Sequence, residues 1–169
     1  MIYAHILVPT DFSPAAQRAL EYAVEEATQH QARLTLLHVL DQHHQTTAVY
    51  YVKDAPQGGT GYGEFGEKLP AFPASQPQTV RQDYQEEALV QLHDLRPASF
   101  AGVWEAQVTA GNPAEEIVAM AESLDVDLIV MSTHGRTGLS RFLLGSVAEK
   151  VVRHAPCPVL TVRQRERKA

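Results

Sequence analysis

The sequence predicts an α/β fold: a single domain, residues 1–169, built on an open five-stranded parallel sheet with helices on both faces. Three observations carry this expectation. Short apolar runs alternate with stretches of helical periodicity from end to end. Asp127-Leu-Ile-Val-Met131 is apolar after its first residue, as a central parallel strand covered on both faces requires. Ser13-Pro14 and Asn112-Pro113 each set a capping residue before a proline, the way helices begin. Five strands alternating with four helices imply right-handed crossovers, and the expected strand order is 3-2-1-4-5.

Taken in order, His5-Ile-Leu-Val8 is a short apolar strand that stops at Pro9. Ser13 caps the first helix, whose Leu20, Ala23, Val24 and Ala27 form a core-facing stripe. Leu34 to Leu40 is the second strand. Residues 41–79 read as a long loop or flexible insertion, with five glycines between Gly58 and Gly66 and prolines at 56, 70, 73 and 77. A second helix follows, carrying Tyr84, Ala88, Leu92 and Leu95 on one face and ending before Pro97. Val103 to Val108 alternates apolar and polar, as a half-exposed or edge strand does. Asn112 opens the third helix, with Ile117, Ala121 and Leu124 as its buried stripe. The fourth strand is Asp127 to Met131, and the fourth helix runs from about Val147 to His154. Cys157 to Val162 makes a last strand, which Pro156 and Pro158 confine to a strand start or a sheet edge.

Composition narrows the function classes. With 44% hydrophobic residues the chain can bury a substantial core, and its net charge of −6 argues against general affinity for nucleic acid or anionic membrane. The basic cluster Arg163-Gln-Arg-Glu-Arg-Lys168 is short and broken by Glu166, as a solvated terminus is. Cys157 is the single cysteine, so no intramolecular disulfide can form. No apolar run approaches the roughly 18 residues that span a bilayer. Met-Ile-Tyr-Ala-His at the start lacks the pattern of a signal peptide, and the expected location is the cytoplasm.

The most informative stretch is Met131-Ser-Thr-His-Gly-Arg-Thr-Gly-Leu-Ser-Arg-Phe-Leu-Leu-Gly-Ser146. It places a small-residue turn directly after a strand and a Gly-Ser step directly before a helix, the parts from which phosphate sites are built. Gly135 and Gly138 permit close backbone approach, Gly145 lets oxygens near the helix amides, and Arg136 is the best-placed cation. Ser146 has a competing reading, because Ser146-Val-Ala-Glu149 is a complete capping box. In open parallel sheets ligands sit beyond the carboxyl ends of the strands where the strand order reverses. Pro9-Thr-Asp-Phe-Ser13 should meet the loop there, with Asp11 as a contact to ribose, adenine or a divalent cation, or alternatively as a turn residue beside the Ser13 cap.

Other candidates read less strongly. His134 has no partner spaced to form a triad, so a positioning or structural role fits it better. His43 and His44 lack a patterned third metal ligand. Gly61-Tyr-Gly63-Glu-Phe-Gly66 matches G-x-G-x-x-G literally, but without the strand-turn-helix context of a dinucleotide fingerprint. No run reads G-x-x-x-x-G-K-[ST], and no lysine stands in the loop to offset charge on a leaving phosphate, so fast ATP hydrolysis is not expected.

Together these residues resemble the universal stress protein family. Its ATP-binding members carry G-x-x-G, nine residues, then G-[ST] after the fourth strand; here Gly135, Gly145 and Ser146 fill that pattern, and Ser132 replaces the first glycine. Ile6-Leu-Val-Pro-Thr-Asp-Phe-Ser13, Leu36-Leu-His-Val39, Gly111-Asn-Pro and Pro156-Cys-Pro-Val-Leu-Thr-Val162 are similar as well. The resemblance implies a Rossmann-like fold of the adenine nucleotide alpha-hydrolase-like type. It implies adenine and ribose contacts from Pro9, Thr10, Asp11, Val39 and Met131, with Ser13 and Ser132 beside them. Phosphate contacts would come from Gly135, Arg136, Gly145, Ser146 and Val147. ATP is the implied ligand, with AMP or another adenine nucleotide as the alternative and Mg2+ as a companion of ATP. A homodimer through the last strand is also implied. The functional expectation is a nucleotide-dependent regulatory or stress-response module. The alternatives are a slow metal-dependent enzyme that hydrolyses ATP or transfers adenylyl or phosphoryl groups, and a dimeric interaction module with a vestigial site.

Overall fold

The structure, a computed structural model, describes residues 3–41, 60–62, 68–70, 77–133 and 144–163. Along the chain lie β1 (His5–Pro9), α1 (Pro14–His30), β2 (Arg33–Asp41), β3 (Thr60–Tyr62), β4 (Lys68–Pro70) and α2 (Pro77–Asp94). They are followed by β5 (Trp104–Gly111), α3 (Pro113–Ser123), β6 (Leu128–Ser132), α4 (Ser146–His154) and β7 (Val159–Val162). The five-stranded sheet has the order β5-β2-β1-β6-β7, and all its pairings are parallel. Counted within that sheet alone, this is the expected 3-2-1-4-5. The chain builds outward from β1 through β2 to β5, then returns to the other side of β1 for β6 and β7. The reversal leaves a crevice between the ends of β1 and β6.

Strand periodicity divides the core between the two faces. Ile6, Val8, Leu34, Leu36, Leu128 and Val130 point to one side, where they pack with Ala19, Leu20 and Ala23 of α1 and Leu92 of α2. Leu7, Leu37, Ile129 and Met131 point to the other, against Ala114, Ile117 and Ala121 of α3 and Ala148 and Val151 of α4. The expected stripes of α1 and α3 thus face the core, as do Ala88, Leu92 and Leu95 of α2, while Tyr84 is half-buried. β5 lies at one edge, with Trp104 its only buried residue, and β7 lies at the other.

Several boundaries differ from the sequence reading, each for a local reason. Pro9 belongs to β1, because a proline carbonyl and fixed φ suit a strand end, and it stands opposite Leu37. β5 extends to Gly111, paired residue by residue with β2 as far as Asp41. β7 begins only at Val159; Pro158 contributes its carbonyl to Ile129 N–H at 3.0 Å but has no N–H to continue the ladder. The segment read as loop contains β3 and β4, an antiparallel pair in which Gly61 faces Leu69, and α2 already begins at Pro77. Gly61 is therefore in a strand, but the next described element is another strand and not the helix that a dinucleotide fingerprint requires.

The amino end of the sheet is tied by polar groups, of which His5 and Thr35 are buried. Asp127 Oδ2 accepts the backbone N–H of Ala4 (2.8 Å) and of His5 (2.9 Å), joining the starts of β1 and β6. The His5 ring lies between the Leu124 carbonyl, 3.1 Å from Nδ1, and the Thr35 hydroxyl, 2.8 Å from Nε2. Thr35 in turn reaches Glu105 Oε2 at 3.0 Å, so the chain of contacts crosses β1, β2 and β5.

Candidate functional site

At the opposite end, the carboxyl edge of the sheet opens into a cleft of about 220 Å3. Pro9, Thr10 and Asp11 form one wall as the chain leaves β1, and Leu37, His38 and Val39 of β2 form the next. Met131, Ser132 and Thr133 close the side of β6, and Gly145 to Ala148 bring in the start of α4. Pro113 and Ile117 of α3 and Ala16 of α1 complete it. The lining is mainly apolar, which suits a flat heteroaromatic ring, with polar groups gathered at the turn and at the helix.

Two backbone contacts create this meeting. Thr133 N–H donates to the Val162 carbonyl at 3.1 Å, and Gly145 N–H donates to the Thr133 carbonyl at 2.8 Å. The second contact brings α4 back to the end of β6, so the helix points its amino terminus at the strand ends. Gly145 is the N-cap, with φ −60° and ψ 150°, and supplies no side chain to the first turn. The amides of Ser146, Val147 and Ala148 consequently have no intrahelical acceptor. Added to the helix dipole, they make a concentrated anion-seeking group on the cleft wall.

This arrangement corrects the capping-box reading of Ser146. The helix starts one residue earlier than that box requires, so Ser146 is the first helical residue. Glu149 then lies at the fourth position, where its N–H bonds to the Gly145 carbonyl at 2.9 Å in the ordinary intrahelical way. Glu149 needs no serine hydroxyl, and its own carboxylate pairs with Arg153 at 3.0 Å across the exposed helix surface.

The turn after β1 is tightly determined. Thr10 N–H donates to the Leu37 carbonyl (2.9 Å), while His38 Nδ1 donates to the Thr10 carbonyl (2.8 Å). Phe12 adopts φ 62°, a left-handed conformation that few residues with a large side chain adopt. Its N–H donates to Thr10 Oγ1 (3.1 Å), and its ring packs on His38 with centroids 4.6 Å apart. Ser13 N–H donates to Asp11 Oδ1 at 3.1 Å, so Asp11 is a turn residue and a cleft residue at once.

Of the residues expected from the sequence, Pro9, Thr10, Asp11, Val39, Met131, Ser132, Gly145, Ser146 and Val147 all line this cleft. Ser13 does not: it is buried, and its hydroxyl accepts Ala16 N–H at 3.2 Å as the cap of α1. Gly135 and Arg136 lie outside the described residues, as do His134, His43 and His44. His38, Ile117, Pro113 and Thr133 were not expected. The signal for His38 was available, since it is the one polar side chain between Leu36 and Leu40. Among the described residues no cluster of three or more His, Cys, Asp or Glu is placed to hold a metal ion. Burial pushes the Cys157 thiol up, which leaves it protonated and weakly nucleophilic near neutral pH. No helix among the described residues is long and apolar enough to cross a membrane.

Comparison with known proteins gives the family and the fold. The family model described as the universal stress protein family matches residues 2–163. A putative universal stress protein of Staphylococcus haemolyticus is 35% identical over 169 residues, covering 98% of this chain and 88% of its own. The solved universal stress protein of Lactobacillus plantarum superposes with a TM-score of 0.67 at 29% identity, over 96% of this chain and 99% of its own. Two more distant structures share the fold. One is a universal stress protein in complex with cAMP, with a TM-score of 0.62 at 23% identity over 96% of this chain and 98% of its own. The other, from Archaeoglobus fulgidus in complex with dAMP, has a TM-score of 0.52 at 22% identity over 95% and 98%.

Proposed function

Because this chain belongs to the universal stress protein family, we propose that it binds ATP in the cleft between β1 and β6 and acts as a nucleotide-dependent regulatory module. One observation carries the proposal: the uncapped first turn of α4 opens onto a cleft with apolar walls at the point where the strand order reverses. Phosphate oxygens suit the amides of Ser146, Val147 and Ala148, to which the N-cap Gly145 offers no side chain. Adenine suits the apolar surface of Val39 and Met131, and the ribose hydroxyls suit Asp11. The cAMP and dAMP held by two relatives of the same fold support an adenine ligand.

Binding without fast turnover is the reading that the described groups support, Arg136 of the loop lying outside them. A catalyst for phosphoryl transfer needs cations aimed at the charge that develops on the transferred group. None of the described residues that line the cleft is a lysine or arginine, and residues 131–147 contain no lysine. Among the described residues that line the cleft, Asp11 is the one carboxylate Mg2+ would meet, and one of its oxygens already accepts the Ser13 amide. The test is to purify the protein without added ligand, quantify released nucleotide, and follow thermal unfolding with and without ATP and Mg2+. Near-stoichiometric adenine nucleotide or a clear upward shift with ATP, with turnover no faster than minutes, is the expected result. No retained nucleotide and no shift would overturn the proposal. Rapid metal-dependent turnover lost in Asp11→Ala would replace it with an enzyme.

A further inference from the structure

The turn that carries Thr10 and Asp11 into the cleft is strained, and something must hold it. A left-handed conformation at a residue such as Phe12 costs on the order of 1 kcal/mol or more, and persists only where its surroundings over-determine it. Asp11 and Ser13 restrain the turn from within, through the Asp11 Oδ1 contact to Ser13 N–H. From outside, Thr10 N–H is tied to the Leu37 carbonyl at 2.9 Å and Phe12 packs against the core, and His38 adds a side-chain restraint. It grips the turn twice, through the 2.8 Å hydrogen bond from Nδ1 to the Thr10 carbonyl and through the ring contact with Phe12. A carbonyl can only accept, so the proton on Nδ1 is fixed by its partner.

We propose that His38 is a positioning residue for the nucleotide site, clamping the Thr10 carbonyl and the Phe12 ring so that the strained turn presents Thr10 and Asp11 to the ligand. This inference rests on the nucleotide reading of the cleft given above. Its physical basis is preorganisation. A turn already held in the binding conformation loses less freedom when the nucleotide arrives, and the affinity gained is the ordering cost that is avoided. His38 stands in β2, a strand paired on both sides, so it is anchored to rigid structure and not to the loop it restrains. Without the clamp, Phe12 can relax toward an ordinary backbone conformation and carry Asp11 out of register with the amides of α4.

Three substitutions separate positioning from mere packing. The amide of asparagine reaches the place of Nδ1, that of glutamine the place of Nε2, and phenylalanine keeps the ring without a donor. ATP affinity is measured by calorimetry for His38→Asn, His38→Gln and His38→Phe beside the unsubstituted protein, with thermal midpoints recorded for each. The expected result is a loss of about tenfold in His38→Gln and His38→Phe and near-restoration in His38→Asn, as one positioned hydrogen bond warrants. Equal affinity in all four proteins, or a loss in His38→Asn as large as in His38→Phe, would overturn the positioning role and leave the nucleotide reading standing. Absence of ATP binding by the unsubstituted protein would instead overturn that reading and this inference with it. Thermal midpoints that follow affinity only in the presence of ATP also support the role; a ligand-free midpoint that alone accounts for the loss would overturn it.

Discussion

At the scale of single residues, two histidines hold opposite ends of the sheet by different physics. His38 is half-buried and acts through a fixed donor, whereas His5 is buried among groups that compete for protons. The Leu124 carbonyl fixes a proton on His5 Nδ1, leaving Nε2 as an acceptor for the Thr35 hydroxyl. That hydroxyl has one proton, and Glu105 also claims it. Protonating His5 would relieve the competition, yet burial opposes the charge and is the larger effect. The imidazole is therefore held below its ordinary value of 6.5, with the Leu124 carbonyl, Glu105 and Asp127 pulling it up and Arg33 pushing it down. The sign of the consequence follows from proton counting. Below pH 6.5 the unfolded chain takes up a proton that the folded chain refuses, so stability is full above that pH and is lost as pH falls toward the folded value. Urea midpoints measured between pH 8 and pH 5 should fall less steeply in His5→Gln, which keeps a donor and an acceptor but does not titrate. Superposable pH profiles for the two proteins would sink this account. Ser13 offers a simpler test: Ser13→Ala removes the cap of α1 and should cost about 1 kcal/mol in equilibrium unfolding.

At the scale of elements, α4 is where structure and ligand meet, and its start can be probed without breaking the helix. Proline is well tolerated at the first helical position, and it prefers an extended residue before it. Gly145, at φ −60° and ψ 150°, already has that conformation. Ser146→Pro should leave the helix folded while deleting one amide from the phosphate wall; Ser146→Ala deletes only the hydroxyl. ATP affinity is expected to fall about tenfold in the first and no more than about threefold in the second. The reverse order would assign the phosphate contact to the hydroxyl. The same helix shows what was legible in the sequence. Its existence was, because the strand, the small-residue loop and the Gly-Ser step each have local signatures. The cap was not, because whether Gly145 or Ser146 caps the helix is decided by the hydrogen bond between Gly145 and Thr133, which no local pattern records. β3 and β4 were illegible for a related reason: at three residues each, they are too short for alternation to register. His38 was visible as a polar residue in an apolar strand, but its partner stands 28 positions away, and only the register of β1 with β2 brings the two together.

At the scale of the whole molecule, the sheet has two unlike edges, and the difference bears on assembly. β5 is long, and α2 packs beside it. β7 has four residues, pairs among the described residues only with β6, and exposes 37% of Leu160 along a strand otherwise half-buried or buried. An unpaired strand edge presents a row of backbone donors and acceptors that invites pairing with another strand. Two copies meeting there about a two-fold axis would satisfy both edges with one self-complementary contact and join two sheets into one. The net charge of −6 sets a repulsion between copies that such a contact would have to outweigh, so a dimer formed there should strengthen with salt. Leu160→Lys places a charge on the edge in the manner by which natural sheets prevent such pairing. Sedimentation equilibrium should give twice the chain mass for the unsubstituted protein and the single-chain mass for Leu160→Lys. ATP affinity should be retained, since no residue of β7 lines the cleft. A single-chain mass for both proteins would remove β7 as an interface, and a double mass for both would place the interface on another surface of the fold.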